Sequence, residues 1–120
     1  MKPTILIVED DPFIAMDLQD TFEDEGYEVM GPVAEKAEGM SLIADHMPDV
    51  AMLDYNLGGE TSEDIARCLK KNSVPFVFLT GQIARVVDSE DLGSPKIIAK
   101  PFTPQLLIKE IGKLIENSFQ

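Results

Sequence analysis

Four short apolar runs, each broken off abruptly by a polar side chain, constrain this chain most. Ile5–Val8 runs into Glu9-Asp10-Asp11, Val50–Leu53 stops at Asp54, Phe76–Leu79 at Thr80, and Ile97–Ala99 at Lys100. None alternates apolar with polar residues. Unbroken runs of this length are the pattern of strands covered on both faces, and so of a parallel sheet between two helical layers. Val29-Met30, following Gly26-Tyr27, is a weaker candidate for the second strand.

Helical patterns separate the runs. Asp11-Pro12 reads as an N-cap followed by Pro at the first helical position, with Ile14, Ala15, Leu18 and Phe22 recurring on one face until Gly26. Residues 35–46 read as a looser helix holding Ala37, Met40, Ile43 and Ala44. Thr61 and Asp64 have capping-box spacing ahead of Ile65, Ala66 and Leu69, and Thr103-Pro104 opens a last helix with Leu107, Ile108, Ile111, Leu114 and Ile115 on a wide apolar face. Segment 82–95 is the least regular, with one helical turn expected around Ile83–Val87. The order is strand-helix repeated five times. Right-handed crossovers then predict an α/β fold, a doubly wound five-stranded parallel sheet of order 2-1-3-4-5 with flavodoxin-like topology.

In such a sheet, ligands sit beyond the carboxyl ends of the strands. That edge receives Glu9 and Asp10 from the first strand, Asp54 from the third, Thr80 from the fourth and Lys100 from the fifth. Three carboxylates then face one ammonium. Like charges about 4 Å apart repel by roughly 4 kcal/mol at an effective dielectric near 20, which a divalent cation offsets. Mg²⁺ fits best, taking oxygen ligands and keeping waters that a phosphate can replace; with no His or Cys in the set, zinc does not fit. An Asp beside Mg²⁺ can attack phosphorus and form an acyl phosphate, with Lys100 neutralising one phosphoryl oxygen and the Thr80 hydroxyl donating to another.

Composition narrows the classes. The 22 acidic against 10 basic residues leave a net charge of −12, which argues against nucleic-acid binding and against docking on anionic membranes. Cys68 is the only cysteine, no signal-peptide pattern precedes the first run, and no apolar stretch is long enough to span a bilayer, so a cytoplasmic protein is expected.

Together Ile7-Val8-Glu9-Asp10-Asp11-Pro12, Leu53-Asp54-Tyr55-Asn56-Leu57, Leu79-Thr80-Gly81 and Ala99-Lys100-Pro101-Phe102 resemble the receiver domain of two-component response regulators, over essentially all 120 residues. The resemblance implies that Asp54 accepts a phosphoryl group from a histidine kinase or histidine phosphotransfer protein. It also implies that Glu9, Asp10, Asp54 and the backbone carbonyl of Asn56 hold Mg²⁺, that Thr80 and Lys100 contact the phosphoryl group, and that the Lys100–Pro101 bond is cis. Asn56-Leu57-Gly58-Gly59-Glu60 and Pro75–Gly81 are similar to the FATGUY group of single-domain receivers, with Leu79 in place of its Ala and Gln82 in place of its Tyr. Ordinary receivers carry an aromatic switch residue three positions before the lysine, where this chain has Ile97. Activation is therefore expected to be an ordering of segment 82–95 rather than a rotamer flip. Gly81 leaves the site open, and Asn56 and Gln82 are placed to govern access of water.

Residues 1–120 are thus expected to form one receiver domain with no output domain, a monomer or weak dimer. Output would come by contact with another protein through the faces of the fourth and fifth helices, or the chain would serve as a phosphate shuttle or sink. No small-molecule turnover is expected. The alternative is a non-phosphorylated pseudo-receiver that keeps the fold as an interaction module; Asp54, Thr80 and Lys100 argue against it, and the missing aromatic argues for it. An aspartyl phosphatase would put its nucleophile and acid two residues apart at the end of the first strand, and no cap region is present to enclose a substrate. Asp11 reads as a plain helix cap, His46 as a surface residue at the opposite end of the sheet, and Cys68 as a partly buried small residue. Gly58-Gly59 lacks the spacing of a phosphate-binding loop and reads as a turn past the site.

Overall fold

The computed structural model describes residues 2–81, 92–93 and 95–118. β1 (Thr4–Val8), β2 (Glu28–Val33), β3 (Val50–Asp54), β6 (Phe76–Thr80) and β7 (Lys96–Ala99) form one parallel sheet of order β2-β1-β3-β6-β7. This is the predicted order once β4 (Asn56–Leu57) and β5 (Glu60–Thr61) are set apart as a small antiparallel hairpin, which the sequence reading treated only as a turn at Gly58-Gly59. Gly58 supplies the positive φ of +74° that this tight turn uses.

Successive residues along the central strands supply two cores, which is why their runs do not alternate. Leu6, Val8, Leu53 and Phe78 pack beneath α2 (Lys36–Asp45) and α3 (Glu63–Lys71). Ile5, Ile7, Met52 and Val77 pack beneath α1 (Pro12–Asp24) and α4 (Pro104–Ser118). Each fully buried Ile, Leu or Phe contributes about 1.5–3 kcal/mol of transfer free energy.

The helices begin largely where their caps place them. Asp11 Oδ1 accepts from the amides of Phe13 at 2.9 Å and Ile14 at 3.3 Å, and Thr103 Oγ1 accepts from Leu106 at 3.1 Å. The Thr61–Asp64 capping box does not form. Thr61 is taken into β5, Ser62 occupies the cap position, and Asp64 turns to Lys36 and Arg67 instead. In α2 the inward residues are Gly39 and Ile43, while Ala37 and Ala44 face solvent, because the helix lies close enough for Gly39 to sit against Ile65.

β2 is longer than Val29-Met30. It carries on through a cis Gly31–Pro32 bond, with a bulge that sets Gly31 and Pro32 against Ile7 alone between the Leu6–Met30 and Val8–Val33 pairs. An edge strand tolerates the missing Pro amide. Gly31 has φ +90°, and a Cβ there would come within 2.8 Å of the Val33 amide and 3.0 Å of the Ile7 carbonyl. Beyond the bulge the Val33 carbonyl accepts from the amide of Glu9 at 2.9 Å, so the irregularity helps to fix the first residue of the acidic cluster.

His46 is exposed at the end of α2, at the opposite end of the sheet from the cluster, and Cys68 is half-buried. Among the described residues no helix is long and apolar enough to cross a membrane. Gln82, the turn around Ile83–Val87 and most of the proposed ordering segment lie outside the described residues.

Candidate functional site

The carboxyl edge of the sheet brings the strand-end polar groups together. β1 delivers Glu9, β3 ends in Asp54 and β6 ends in Thr80; all three are buried, while Asp10 next to Glu9 is exposed. Parallel register places them at one level: Asp54 pairs with Leu79, and Thr80 with Ala99. Two backbone bonds carry this register past the strand ends. Tyr55 donates its amide to the Leu79 carbonyl and Lys100 to the Thr80 carbonyl, each at 2.9 Å.

One carboxylate oxygen from each of Glu9, Asp10 and Asp54 lies within 4.8 Å of the others. Lys100 reaches into the group, with Nζ 3.1 Å from Asp54 Oδ1 and 3.5 Å from Glu9 Oε1. Glu9 Oε2 also accepts from the Asp11 amide at 3.3 Å. One ammonium does not balance three acids, and the protonation states record that. Burial first, then hydrogen bonding to Glu9 and Asp10 and the Glu9 charge, push the Asp54 carboxyl up to about 8 against the opposing pull of Lys100. For Asp10 burial acts upward, but hydrogen bonding to Asp54 and Glu9 and the Lys100 charge prevail and hold it below the usual carboxylate range. For Lys100 burial acts downward, yet the Glu9 charge and the contacts with Asp54 raise it. Without a cation, the crowding favours the protonated form of Asp54.

This donor set fits a small hard divalent cation: oxygen atoms only, mutually close, more negative charge than one lysine neutralises, and one exposed carboxylate at the mouth. It does not fit a thiolate- or imidazole-seeking metal.

The remaining predicted residues fall around the cluster. Asn56 opens β4 with its side chain at the surface, and Gly81 is exposed, with open space where a Cβ would stand. The Lys100–Pro101 bond is cis. Ile97 is half-buried against the core beneath α2 and α3.

Two features escaped the sequence reading. Phe13 and Met16, 79% and 62% exposed, project from the first turns of α1. On the α4 side of α1 a cleft of about 470 Å³ is lined by Ile14, Leu18, Phe102 and Pro104, with Lys100 also in its wall. The signal lay in α1 itself: positions 13 and 16 are large and apolar but fall off the buried Ala15-Leu18-Phe22 stripe.

Residues 5–112 match the family model of the response regulator receiver domain. The chain belongs to that family. It is 33% identical over 110 residues to the transcriptional regulatory protein PdtaR of Mycobacterium tuberculosis, a match covering 89% of this chain and 54% of that protein. It is 32% identical over 110 residues to the phyllosphere-induced regulator PhyR of Methylorubrum extorquens, covering 87% and 40%. The chain therefore spans about half the length of these curated relatives. The crystal structure of a CheY-like receiver domain protein from Methanospirillum hungatei JF-1 has a TM-score of 0.88 to this chain at 26% identity, covering 98% of this chain and 97% of that one. Receiver domains of this kind interact with kinases or phosphotransfer proteins and with downstream targets, and in general do not turn over small molecules.

Proposed function

We propose that Asp54 of this receiver accepts a phosphoryl group from a phosphohistidine on a histidine kinase or phosphotransfer protein. The observation that carries the proposal is the ammonium of Lys100, 3.1 Å from a buried Asp54 that is crowded by two further carboxylates. In the transfer an Asp54 carboxylate oxygen attacks phosphorus in line with the P–N bond. That bond breaks, its electron pair stays on the imidazole nitrogen, and an acyl phosphate forms. Asp54 must be ionised to attack, and a cation held beside it would favour that ionised form.

Mg²⁺, held by Glu9, Asp10, Asp54 and the backbone carbonyl of Asn56, would supply the charge neutralisation that the clustered carboxylates and the phosphoryl oxygens require. Lys100 follows the transferred group by exchanging its carboxylate contact for a phosphoryl oxygen, and the Thr80 hydroxyl donates to another. Gly81 keeps the mouth open. Asn56 and Gln82 govern the approach of the water that ends the modified state.

Phe13 and Met16 give the donor protein an apolar foothold beside the mouth. Output runs through protein contact on the face that includes α4, the fifth helix of the sequence reading, or by passing the phosphoryl group on. Residues 1–120 act as one receiver domain, cytoplasmic and monomeric or weakly dimeric. The test is Mg²⁺-dependent labelling of the chain by acetyl phosphate and by a phosphorylated donor protein, with Asp54→Asn as control. Labelling lost in the variant is the expected result. An unlabelled wild-type chain would instead be an interaction module that keeps the fold without the chemistry, the reading favoured by Ile97.

A further inference from the structure

Only Tyr55 separates Asp54 from Asn56, the residue whose backbone carbonyl is proposed to complete the cation site, so the placement of Tyr55 fixes both neighbours. Four contacts among the described residues help to hold it. Its amide donates to Leu79 at 2.9 Å, its carbonyl accepts from Ser62 at 3.0 Å, and its ring stands edge-on to Phe78 with centroids 5.3 Å apart. The fourth is the hydroxyl, which donates to Glu63 Oε2.

A phenylalanine would keep the first three contacts, so the hydroxyl bond is not a requirement of packing. Its acceptor belongs to a chain of ion pairs. Glu63 Oε1 pairs with Arg67 at 2.9 Å, Arg67 pairs with Asp64 at 2.9 Å, and Asp64 pairs with Lys36 of α2 at 3.1 Å. A charge-assisted bond to a carboxylate fixed in this way is short and directional. Through these pairs it links α2 and α3 to the one residue between the phosphoacceptor and the proposed carbonyl ligand.

We propose that Tyr55 and Glu63 form a positioning pair for the cation site, holding the Asp54–Asn56 segment in the geometry that binds Mg²⁺. The inference rests on the Mg²⁺ reading of the site. Neither residue touches the cation; both act through the backbone they hold. Removing outer partners of metal ligands costs about 10–100-fold in affinity, and a pair acting one step further out, through the main chain, should cost less.

The experiment is calorimetric titration of the full 120-residue chain with MgCl2 at constant ionic strength, with thermal melts of each apo protein. Tyr55→Phe and Glu63→Ala should each raise the Mg²⁺ Kd about three- to tenfold. The double variant should be no weaker than the weaker single one, because each change breaks the same bond. Glu63→Gln, which keeps an oxygen acceptor, should lie nearer the wild type than Glu63→Ala. A merely structural role would lower melting temperatures and leave Kd within about twofold of wild type, which would overturn the pair; so would effects that multiply in the double variant. If Tyr55→Phe does not fold, the comparison of Glu63→Ala with Glu63→Gln decides on the same criterion. Failure of the wild-type chain to bind Mg²⁺ would overturn the metal reading itself, a different result from wild-type binding that the variants leave unchanged.

Discussion

Asp54 carries most of the electrostatic strain of the site, and its pH dependence has a definite sign. In the unfolded chain it ionises near its ordinary value of about 3.9, whereas in the folded chain burial and the acids beside it keep its proton to about 8. Between these values unfolding releases a proton, so stability of the metal-free protein falls as pH rises, by at most about 1.4 kcal/mol per unit. Asp10, shifted down, and Lys100, shifted up, titrate outside this window. Urea unfolding in EDTA should therefore show a decline from pH 5 to 8. Asp54→Asn removes the group that must either keep a proton or ionise among like charges. The variant should flatten that decline and be more stable than wild type by about 1–3 kcal/mol at pH 7.5. A wild-type profile that rises across this range would contradict the proposed crowding.

Among the elements, β2 and α1 each contribute something beyond their place in the sheet and its cover. The bulge in β2 depends on a residue that adopts φ +90° with two backbone atoms within 3.0 Å of where a Cβ would be. Gly31→Ala should cost about 1–3 kcal/mol in urea unfolding. It should also disturb Glu9, whose amide bonds the carbonyl just past the bulge. α1 offers a separate test. Phe13→Ala with Met16→Ala should slow phosphotransfer from a donor protein about tenfold, the loss expected when one central anchor of a docking surface, a minority of its residues, is truncated at a cost of more than about 1 kcal/mol. Labelling by acetyl phosphate, which needs no docking surface, should be unchanged. The same two elements mark where sequence and structure part. The three central strands β1, β3 and β6 and their terminal Glu9, Asp54 and Thr80 were legible because burial on both faces leaves an unbroken apolar run that polar residues end, and β7, an edge strand with a single buried residue, was legible only as the short run that Lys100 stops. β2 was only half legible, as an edge strand is held partly by register with β1, and Gly31-Pro32 looks like a break. The β4–β5 hairpin and the Tyr55–Glu63 bond were not legible. Strands of two residues carry no periodicity, and contacts across a turn depend on geometry that spacing does not encode. The missed cap at Thr61 has the same origin, since a strand pairing competed with the helix start and prevailed.

For the molecule as a whole, the charge of −12 makes every cation stabilising to some degree, by screening the repulsion among 22 acids. Site binding has to be separated from that background. A cation that binds only the folded state raises its stability by RT ln(1 + [L]/Kd), about 2.7 kcal/mol at a hundredfold excess over Kd. For a domain of this size that is a rise in Tm on the order of 10 °C. Screening depends on ionic strength alone and acts on NaCl and MgCl2 alike when the two are matched. Melts at pH 7.5 should therefore show MgCl2 raising Tm well above the value in NaCl of equal ionic strength. Asp54→Asn should lose most of the difference, because it removes a charged ligand, yet keep the common rise with salt. Replacing exposed acids far from the site, such as Glu23 and Asp24 at the end of α1, should do the reverse: less response to NaCl, the same Mg²⁺ increment. Equal Tm values in the two salts would leave the acidic cluster as surface charge and remove the metal from the proposed chemistry.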